Sequence, residues 1–370
     1  MLCAVVRGRG IVYHGSVAMT EPTLDKKPAA GDKAAPTNAR ESPSSTGGTH
    51  DLVEGLVGPL REMCKGRLGP VQWFRSTWQR GGAATGYSTW TFSDKTQVDV
   101  LVKLPVGPRE YGWTVGLGHL DNRLWHTPEA VSLPVPRVIA AGEMIGGYDL
   151  AWFVVERLSG PALNQAISEP VVREILHAAA EFHAAAAALK PVEGAGEQRD
   201  WHELIARSRE LLEFTTMPET KRWAKCLSQL ARALPRVLEV WKSRPLETWC
   251  HGDLHPGNAM RRELGPDEPG RCVLFDLAFV HPGHWVEDAV YVERQFWAHP
   301  EVLGKTKPIQ ELRRQRRALG LESSGDYTEL AAARRVMMAG CASAWWESEG
   351  TPAYARGALR VLEKHLGLFV

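Results

Sequence analysis

Residues 250–258 carry the densest group of chemically active side chains in the chain, in the order CHGDLHPGN. Two histidines, an aspartate and an asparagine lie within this short segment. A further carboxylate, Asp276, ends the apolar run VLF, where a buried strand can hold a side chain rigidly. Imidazole, carboxylate and amide groups serve both metal binding and acid–base chemistry, so three interpretations of this region have to be compared.

Two of the interpretations do not involve phosphate chemistry. A zinc hydrolase would use His251, Asp253 and His255 as ligands, because alternate side chains of an extended segment share a face. This interpretation leaves Asn258 without a role and needs further ligands, for which the nearby HPGH segment is the source. A polar turn is the second interpretation, with Asp253 and Asn258 hydrogen-bonded to backbone amides.

The third interpretation is phosphoryl transfer from a nucleoside triphosphate. That reaction needs a carboxylate that orients the attacking hydroxyl and accepts its proton, and oxygen ligands for Mg²⁺. Asp253 supplies the carboxylate, while Asn258 and Asp276 offer oxygen ligands. An aspartate, an asparagine five residues later and an aspartate at a strand end match the kinase arrangement H-R-D-x-x-x-x-N … D-F-G. The joint spacing favours this third interpretation.

The segments before this region predict a sheet. VQWFRSTWQR, GYSTWTFSD and QVDVLVKLPV are rich in β-branched and aromatic residues and are separated by turn residues, which indicates a three-stranded antiparallel meander between Val71 and Val106. REYGWTVGLGHL predicts a short helix. VPRVIAAGEM and LAWFVVERLSG predict two more strands, the second buried because it is almost wholly apolar.

Helical periodicity replaces the strand pattern after Pro161. Apolar residues recur at three- and four-residue intervals in PVVREILHAAAEFHAAAAAL, DWHELIARSRELLEF and TKRWAKCLSQLARALPRVLEVW, and again in the last 45 or so residues. RRELGPDEPG is interpreted as a charged turn, and RCVLFDLAF as a short strand. We therefore predict an α+β chain with a small β-rich lobe over 51–160 and a larger, mainly helical lobe over 161–370. Residues 1–50 are predicted to form a disordered tail, because they contain few large apolar groups.

Here the sequence resembles a known family. HGDLHPGN is similar to the catalytic-loop signature of the aminoglycoside phosphotransferase and choline kinase family, and VLFDLAFVHPGHWVEDAVY to its metal-binding strand and the following helix start. The resemblance covers most of residues 70–300. It implies a bilobal protein-kinase-like fold, with Asp253 as catalytic base and with Asn258 and Asp276 as Mg²⁺ ligands. Supporting roles in the loop fall to His251, His255 and Asp288.

A kinase-like small lobe also needs a lysine that contacts the α- and β-phosphates and a glutamate that holds it. Lys103 stands in the otherwise apolar strand VDVLVKLPV, where a lone charge is poorly tolerated unless it is paired. Glu110 is the partner that we predict, with Glu129 as the alternative. An outward-facing Lys103 on an edge strand is the structural alternative.

Two backbone segments would hold the rest of the nucleotide. GGAATG, which contains Gly82 and Gly86, could cover the phosphates through backbone N–H groups, although it is not a G-x-G-x-x-G motif. WFVVERLSG resembles the family's hinge strand. By that resemblance Val155 faces the adenine pocket, and the backbone of Glu156 and Leu158 hydrogen-bonds the adenine.

Departures from the protein-kinase pattern narrow the activity. Leu277 and Ala278 follow Asp276 in place of Phe-Gly, and no A-P-E segment follows. We therefore predict a kinase of small molecules that uses ATP or GTP with Mg²⁺. A non-catalytic nucleotide-binding or ligand-sensing module on the same scaffold is the alternative.

Candidate acceptor-binding residues are acidic and aromatic, which suits a cationic, hydroxyl-bearing acceptor such as an aminosugar or an amino alcohol. They are Glu287, Glu293, Trp345, Trp346, Glu347 and Glu349. A tryptophan-rich helix also serves simply as core.

The overall composition restricts the partners and the compartment. The net charge of +1 lacks the basic excess of nucleic-acid binders and gives no reason to expect a membrane surface as partner. No stretch reaches the ~18 apolar residues of a membrane span. The 6 cysteines are scattered without a CxxC pair, which fits thiols in a reducing compartment. We therefore predict a cytoplasmic protein.

Overall fold

The structure is a computed structural model, and it describes residues 47–74, 83–119, 125, 127–197, 199–263, 270–346 and 350–370. Most of the predicted tail, 1–46, lies outside the described residues. Helix α1 begins at Gly47, shortly before the predicted boundary of the small lobe.

The small lobe is built on one antiparallel sheet of five strands in the order β1-β2-β3-β5-β4. Its elements are α1 (Gly47–Met63), β1 (Gln72–Phe74), β2 (Ala84–Thr91), β3 (Gln97–Val106), α2 (Pro108–Gly118), α3 (Pro128–Val131), β4 (Val138–Gly142) and β5 (Ala151–Glu156). The predicted meander, the helix after it and the two further strands are thus all present. Pro108 starts α2 directly after β3, at a position where the missing N–H costs nothing.

The two faces of this sheet differ because successive side chains of a strand point to opposite sides. Val100, Val102 and Leu104 of β3 are fully buried and pack with Leu56 and Leu60 of α1. Lys103 lies on the opposite face, the face on which α2 packs. The sequence alternation of β3 therefore turns its single lysine away from the α1 core.

The large lobe contains most of the helices around one extended core cluster. Its elements are α4 (Glu169–Leu189), α5 (Trp201–Leu212), α6 (Thr220–Lys242), β6 (Thr248–Cys250), β7 (Ala259–Arg262), β8 (Arg271–Leu274), β9 (His281–Gly283), α7 (Val286–Arg294), α8 (Pro308–Ala318), α9 (Thr328–Gly340) and α10 (Pro352–Leu366). Two short antiparallel ribbons, β6–β9 and β7–β8, lie within it. The chain therefore has a small β-rich lobe followed by a larger helical lobe, which confirms the predicted fold class.

One correction concerns the segment that we interpreted as a charged turn. Arg261 and Arg262 belong to β7, and Arg262 is only 2% exposed. Its guanidinium lies 2.5 Å from Glu156 at the end of β5, and it also donates to the carbonyl oxygens of Val131 and Leu133 at 2.7 and 2.8 Å. A buried arginine is tolerated here because each side of its planar fork meets an acceptor. This contact joins the two lobes behind the hinge.

Two properties bear on the environment of the protein. The five described cysteines, Cys64, Cys226, Cys250, Cys272 and Cys341, are buried free thiols. Among the described helices, none has the length and apolar character that a membrane span requires.

Candidate active site

The loop after β6 turns sharply at Gly252. Its φ is +81°, and an added Cβ would lie 2.3 Å from the carbonyl oxygen of Phe279. Only glycine adopts this conformation without strain and leaves room for the neighbouring backbone. The glycine of the HGD motif therefore sets the direction in which the next residue, Asp253, leaves the loop.

Asp253 is buried and surrounded by donors. Tyr291 Oη lies 2.6 Å from Oδ1, Asn258 Nδ2 lies 2.9 Å from Oδ2, and His255 Nε2 lies 3.5 Å from Oδ2. Burial by itself would raise the pKa of the Asp253 carboxyl, but the hydrogen bonds from His255 and Tyr291 outweigh it and hold the pKa below its usual value. Asp253 is therefore a carboxylate held ionised in a fixed orientation.

The two histidines of the motif support the loop and do not converge on one metal. His255 Nδ1 accepts from the N–H of Gly257 at 3.0 Å, which leaves Nε2–H directed towards Asp253. His251 Nδ1 accepts from the N–H of Asp253 at 3.3 Å, and its Nε2 donates to the carbonyl oxygen of Phe275 at 3.2 Å. Since both nitrogens of each ring are already engaged, the zinc interpretation loses its first ligands.

Asp288 lies behind the loop, in the first turn of α7. Its carboxylate accepts from the N–H groups of His251 and Gly252 at 2.8 and 3.1 Å and contacts His183 Nε2 at 3.0 Å. Burial would raise the pKa of this carboxyl, but the bond from His183 and the surrounding histidines lower it. Asp288 therefore satisfies the backbone of the loop and not that of its own helix.

The β7–β8 ribbon places Asn258 and Asp276 next to each other. Asn258 directly precedes β7, its carbonyl oxygen accepts from the N–H of Phe275 at 3.1 Å, and Asp276 follows. The Asn258 Nδ2 group donates to Asp253, which leaves Oδ1 as the amide atom available to a cation. Asp276 has a left-handed backbone (φ 63°) and a side chain that is 40% exposed. This pair offers the oxygen ligands that Mg²⁺ prefers.

Lys103 reaches this pair from the small lobe. Its Nζ lies 2.5 Å from Glu110 Oε1 and 3.7 Å from Asp276 Oδ1. Burial would lower the pKa of Lys103, but the charges of Asp276 and Glu110 outweigh it and raise the pKa. Lys103 is thus inward-facing, charged and partnered by Glu110, and the side chain of Glu129 lies outside the described residues.

The predicted glycine-rich turn is only partly present in the structure. Gly82 lies outside the described residues. The structure places Gly86 inside β2 and not in a turn, and an added Cβ would lie 2.8 Å from Trp73 Cε3, so close packing against β1 explains this glycine.

The predicted hinge strand has one unused backbone donor: among the described residues, the N–H of Leu158 has no hydrogen-bond acceptor. Val155 lies on the same face of the sheet as Lys103, since it pairs with Leu101.

The side chain of Glu156 belongs to a buried network of charges. Its carboxylate accepts from Arg262 Nε at 3.0 Å and from Arg137 Nε at 2.8 Å, and the residue is 5% exposed. The sequence did not indicate this network, because its three members are far apart along the chain.

A cleft of about 1230 Å³ opens beside Asp253 and Tyr291. Trp345 lines it, as predicted, while Trp346 does not. Glu347 and Glu349 lie outside the described residues.

The prediction that Glu287 and Glu293 line this cleft is wrong. Glu287 is 1% exposed and bonded to Arg244 Nε at 2.9 Å, and Glu293 forms a bidentate pair with Arg335 at 2.7 and 2.6 Å. Both carboxylates neutralise arginines inside the lobe, because a buried charge without a partner is costly.

Sequence reasoning missed Tyr291 and His183. Tyr291 lies three residues after Asp288, hence on the same side of α7, and this spacing in WVEDAVY was an available signal. His183 comes from α4, and no local pattern connects it with Asp288.

The family of the chain follows from comparison with known proteins. The profile of the phosphotransferase enzyme family matches residues 119–332, which is more than half of the chain. A search of curated proteins found no match.

Among solved structures, a Ralstonia eutropha protein assigned to the aminoglycoside phosphotransferases is 14% identical, with a TM-score of 0.51 over 84% of this chain and 97% of that chain. An aminoglycoside phosphotransferase of Alicyclobacillus acidocaldarius is 15% identical, with a TM-score of 0.46 over 90% and 95% of the two chains. Ethanolamine kinase of Plasmodium vivax is 12% identical, with a TM-score of 0.46 over 90% and 97%. At these identities the likeness concerns the fold. The family match shows that the chain belongs to the phosphotransferase enzyme family and is a small-molecule kinase, and the Ralstonia eutropha structure supports the bilobal, protein-kinase-like fold.

Proposed function

We propose that this protein transfers the γ-phosphoryl group of ATP or GTP to a hydroxyl of a small acceptor, with Asp253 as the base. The observation that carries the proposal is the convergence of Lys103, Asp276, Asn258 and Asp253 at one place between the lobes. Phosphoryl transfer depends almost entirely on positioning and charge stabilisation, which is what such a convergence supplies.

The buried carboxylate of Asp253 defines the acceptor side of the reaction. Hydrogen bonds from His255 and Tyr291 keep this carboxylate ionised in spite of its burial, so it can accept a hydrogen bond from the acceptor hydroxyl, and it takes the proton as the hydroxyl oxygen attacks the phosphorus. The hydroxyl oxygen forms a bond to the γ-phosphorus, and the bond from that phosphorus to the β–γ bridging oxygen breaks. The products are a phosphate monoester and a nucleoside diphosphate, with the proton on Asp253.

The nucleotide side is assigned to residues of both lobes. Lys103, oriented by Glu110, would contact the α- and β-phosphates. The backbone of Glu156 and Leu158 would bind adenine, which the acceptor-free N–H of Leu158 among the described residues supports. Coverage of the phosphates by the segment with Gly82 and Gly86 remains a prediction from the sequence.

The donor set of Asn258 and Asp276 fits a hard divalent cation, because it offers one neutral amide oxygen and one exposed carboxylate and no sulfur. These two residues would hold Mg²⁺, which when bound would neutralise charge on the phosphate oxygens. His251 supports this arrangement, because its hydrogen bond to the carbonyl oxygen of Phe275 ties the catalytic loop to the segment that carries Asp276. We place the reaction in the cytoplasm, where the buried free thiols would stay reduced.

A non-catalytic ligand-binding module would not need this site. Binding of a nucleotide alone gives no reason to bury Asp253 among three donors on the acceptor side of the cleft. The proposal is tested by incubating the protein with ATP or GTP, Mg²⁺ and a panel of amino alcohols, aminosugars, sugars, polyols and hydroxy acids. Phosphate monoesters are detected by ³¹P NMR. Nucleotide binding without transfer to any acceptor would favour the binding module.

A further inference from the structure

The cleft beside Asp253 carries more positive charge than the sequence led us to expect. Its charged lining consists of the basic residues Arg109, Lys190, Arg199, Arg207 and Arg294 and the acidic residues Glu197, Asp200, Glu203 and Asp253. The question is which of these charges are already neutralised by partners within the protein.

Most of the lining carboxylates are engaged. Glu197 lies 2.6 Å from Arg199 and 2.8 Å from the buried Arg334. Burial would raise the pKa of Glu197, but the charges of these two arginines outweigh it and lower the pKa. Asp200 caps α5, accepting from the N–H of Glu203 at 2.9 Å. Glu197 is thus the one lining carboxylate paired with an arginine among the described residues, while Asp200 accepts from a neutral backbone amide and Glu203 has no side-chain partner there.

Three lining cations are in the opposite situation. Within the described part of the chain, no carboxylate lies within ion-pair distance of Arg109, Lys190 or Arg207. The five basic residues of the lining outnumber its four carboxylates by one, so the charged lining as a whole is positive.

Lys190 is also held in a defined position. Its Nζ lies 4.1 Å from the ring centroid of Trp113 and 4.7 Å from that of Trp249, and both rings line the cleft. The Trp249 indole N–H donates to the carbonyl oxygen of Lys190 at 3.1 Å, which fixes the lysine and the ring together. An aromatic pair of this kind is a site for an organic cation. Here the chain's own ammonium group occupies it.

We propose that the acceptor of this kinase carries an anionic group, a carboxylate or a phosphate, in addition to its hydroxyl, and that Lys190 and Arg109 bind that group. The inference rests on the proposed function, since it names the acceptor class of the same site. The anionic group pairs with the ammonium on the open side of the two tryptophans, while the hydroxyl faces Asp253. A cationic acceptor would meet the like charge of Lys190 on the aromatic pair that would otherwise bind it.

The test uses four acceptors of one chain length: 3-aminopropan-1-ol, propane-1,3-diol, 3-hydroxypropanoate and 3-hydroxypropyl phosphate. Initial rates of phosphate-ester formation with ATP and Mg²⁺ give kcat/KM for each. We expect at least one of the two anions to exceed both the diol and the amine by about tenfold or more, as for a charge-assisted hydrogen bond. Comparing the carboxylate with the phosphate identifies which anion fits.

Variants connect this preference to Lys190. Lys190→Met keeps the aliphatic stem on the tryptophans and should abolish the advantage of the anion, whereas Lys190→Arg should retain it. Lys225→Met, an exposed lysine of α6 outside the cleft, is the matched control and should change nothing. A higher kcat/KM for the amine than for both anions, or an anion preference untouched by Lys190→Met, would overturn the inference while leaving the kinase activity established.

Binding separates the two proposals if no acceptor is phosphorylated. In that case, calorimetric titration with 3-hydroxypropanoate and with 3-hydroxypropyl phosphate measures whether the cleft binds an anion. Binding of either that is lost in Lys190→Met supports the anion site although the kinase proposal fails, and no binding of either overturns both.

Discussion

Lys103 of the small lobe and Asp276 of the large lobe approach to 3.7 Å, and the same ammonium group lies 2.5 Å from Glu110. The lysine is thus placed between a fixed partner in its own lobe and an exposed carboxylate in the other. Since Asp276 is also a candidate metal ligand, this contact marks the place where the phosphates and the cation would meet.

Replacement of Lys103 by methionine should abolish transfer and destabilise the protein. Removal of one partner from a buried ion pair costs about 3–5 kcal/mol, because the other charge stays buried without compensation. Urea unfolding and kcat/KM for the nucleotide measure the two effects. The double variant Lys103→Met/Glu110→Gln should regain much of the stability and none of the activity. Recovery of activity in the double variant would contradict the assignment of Lys103 to the phosphates.

Arg262 should influence nucleotide binding although it lies behind the hinge. Arg262→Lys keeps the charge but cannot reproduce the fork that contacts Glu156 and the carbonyl oxygens of Val131 and Leu133. We expect a loss of about 2 kcal/mol or more in unfolding free energy, since buried acceptors lose their donors. The KM for the nucleotide should rise with little change in kcat. Arg236→Lys, an exposed arginine of α6, is the control and should behave as wild type. An unchanged KM would show that the contact serves stability alone.

Asp288 should be required for the geometry of the catalytic loop. In Asp288→Ala the N–H groups of His251 and Gly252 lose their acceptor, and each unsatisfied buried donor costs about 1–3 kcal/mol. The midpoint of urea unfolding should fall accordingly, and kcat should fall more than the affinity for the nucleotide. Asp326→Ala, which removes a surface aspartate that accepts from the N–H of Thr328, is a suitable control. An Asp288→Ala protein with wild-type kcat would rule out the bracing role.

Stability should decrease as the pH falls below the pKa of free histidine. Burial lowers the pKa values of His183 and His251, and it lowers that of His284 from 6.5 to about 4. These rings stay neutral in the folded protein while the unfolded chain takes up protons, so the loss begins near 6.5 and for His284 is complete near 4. His284 alone accounts for about 3 kcal/mol of the loss in unfolding free energy over this pH interval.

Urea unfolding across this pH interval checks the expectation. His284→Gln should show a shallower slope than wild type, because glutamine does not titrate. His281 acts in the opposite sense: burial would lower its pKa, but Glu287 raises it, so its contribution is lost only as the pH rises through the raised value. Parallel slopes for wild type and His284→Gln would refute the assignment.

Much of the geometry of the candidate site could be predicted, because the candidate residues of the large lobe belong to short motifs. Asp253, Asn258 and Asp276 lie close in sequence, and a loop and one ribbon bring them together. Lys103 was recognisable as a charge in an apolar strand, and the structure confirms that it is inward-facing and paired with Glu110.

Other contacts left no local trace in the sequence. The run of charged residues that contains Arg262 was interpreted as a turn, because no neighbouring residue reveals that Glu156 neutralises the arginine. Glu287 and Glu293 read as cleft residues for the same reason: their arginine partners come from other helices or loops. Patterns within a segment predict which face is apolar, but pairing of buried charges depends on which segments meet.

Single-turnover transfer by Asp253→Asn tests the central claim most directly. Asparagine keeps the size of the side chain but cannot accept the proton of the acceptor hydroxyl. With a preformed complex of enzyme, nucleotide and Mg²⁺, the rate of phosphate-ester formation should fall by about 10²- to 10⁴-fold, while the nucleotide dissociation constant stays that of wild type. A rate equal to that of wild type at unchanged nucleotide affinity would contradict the account.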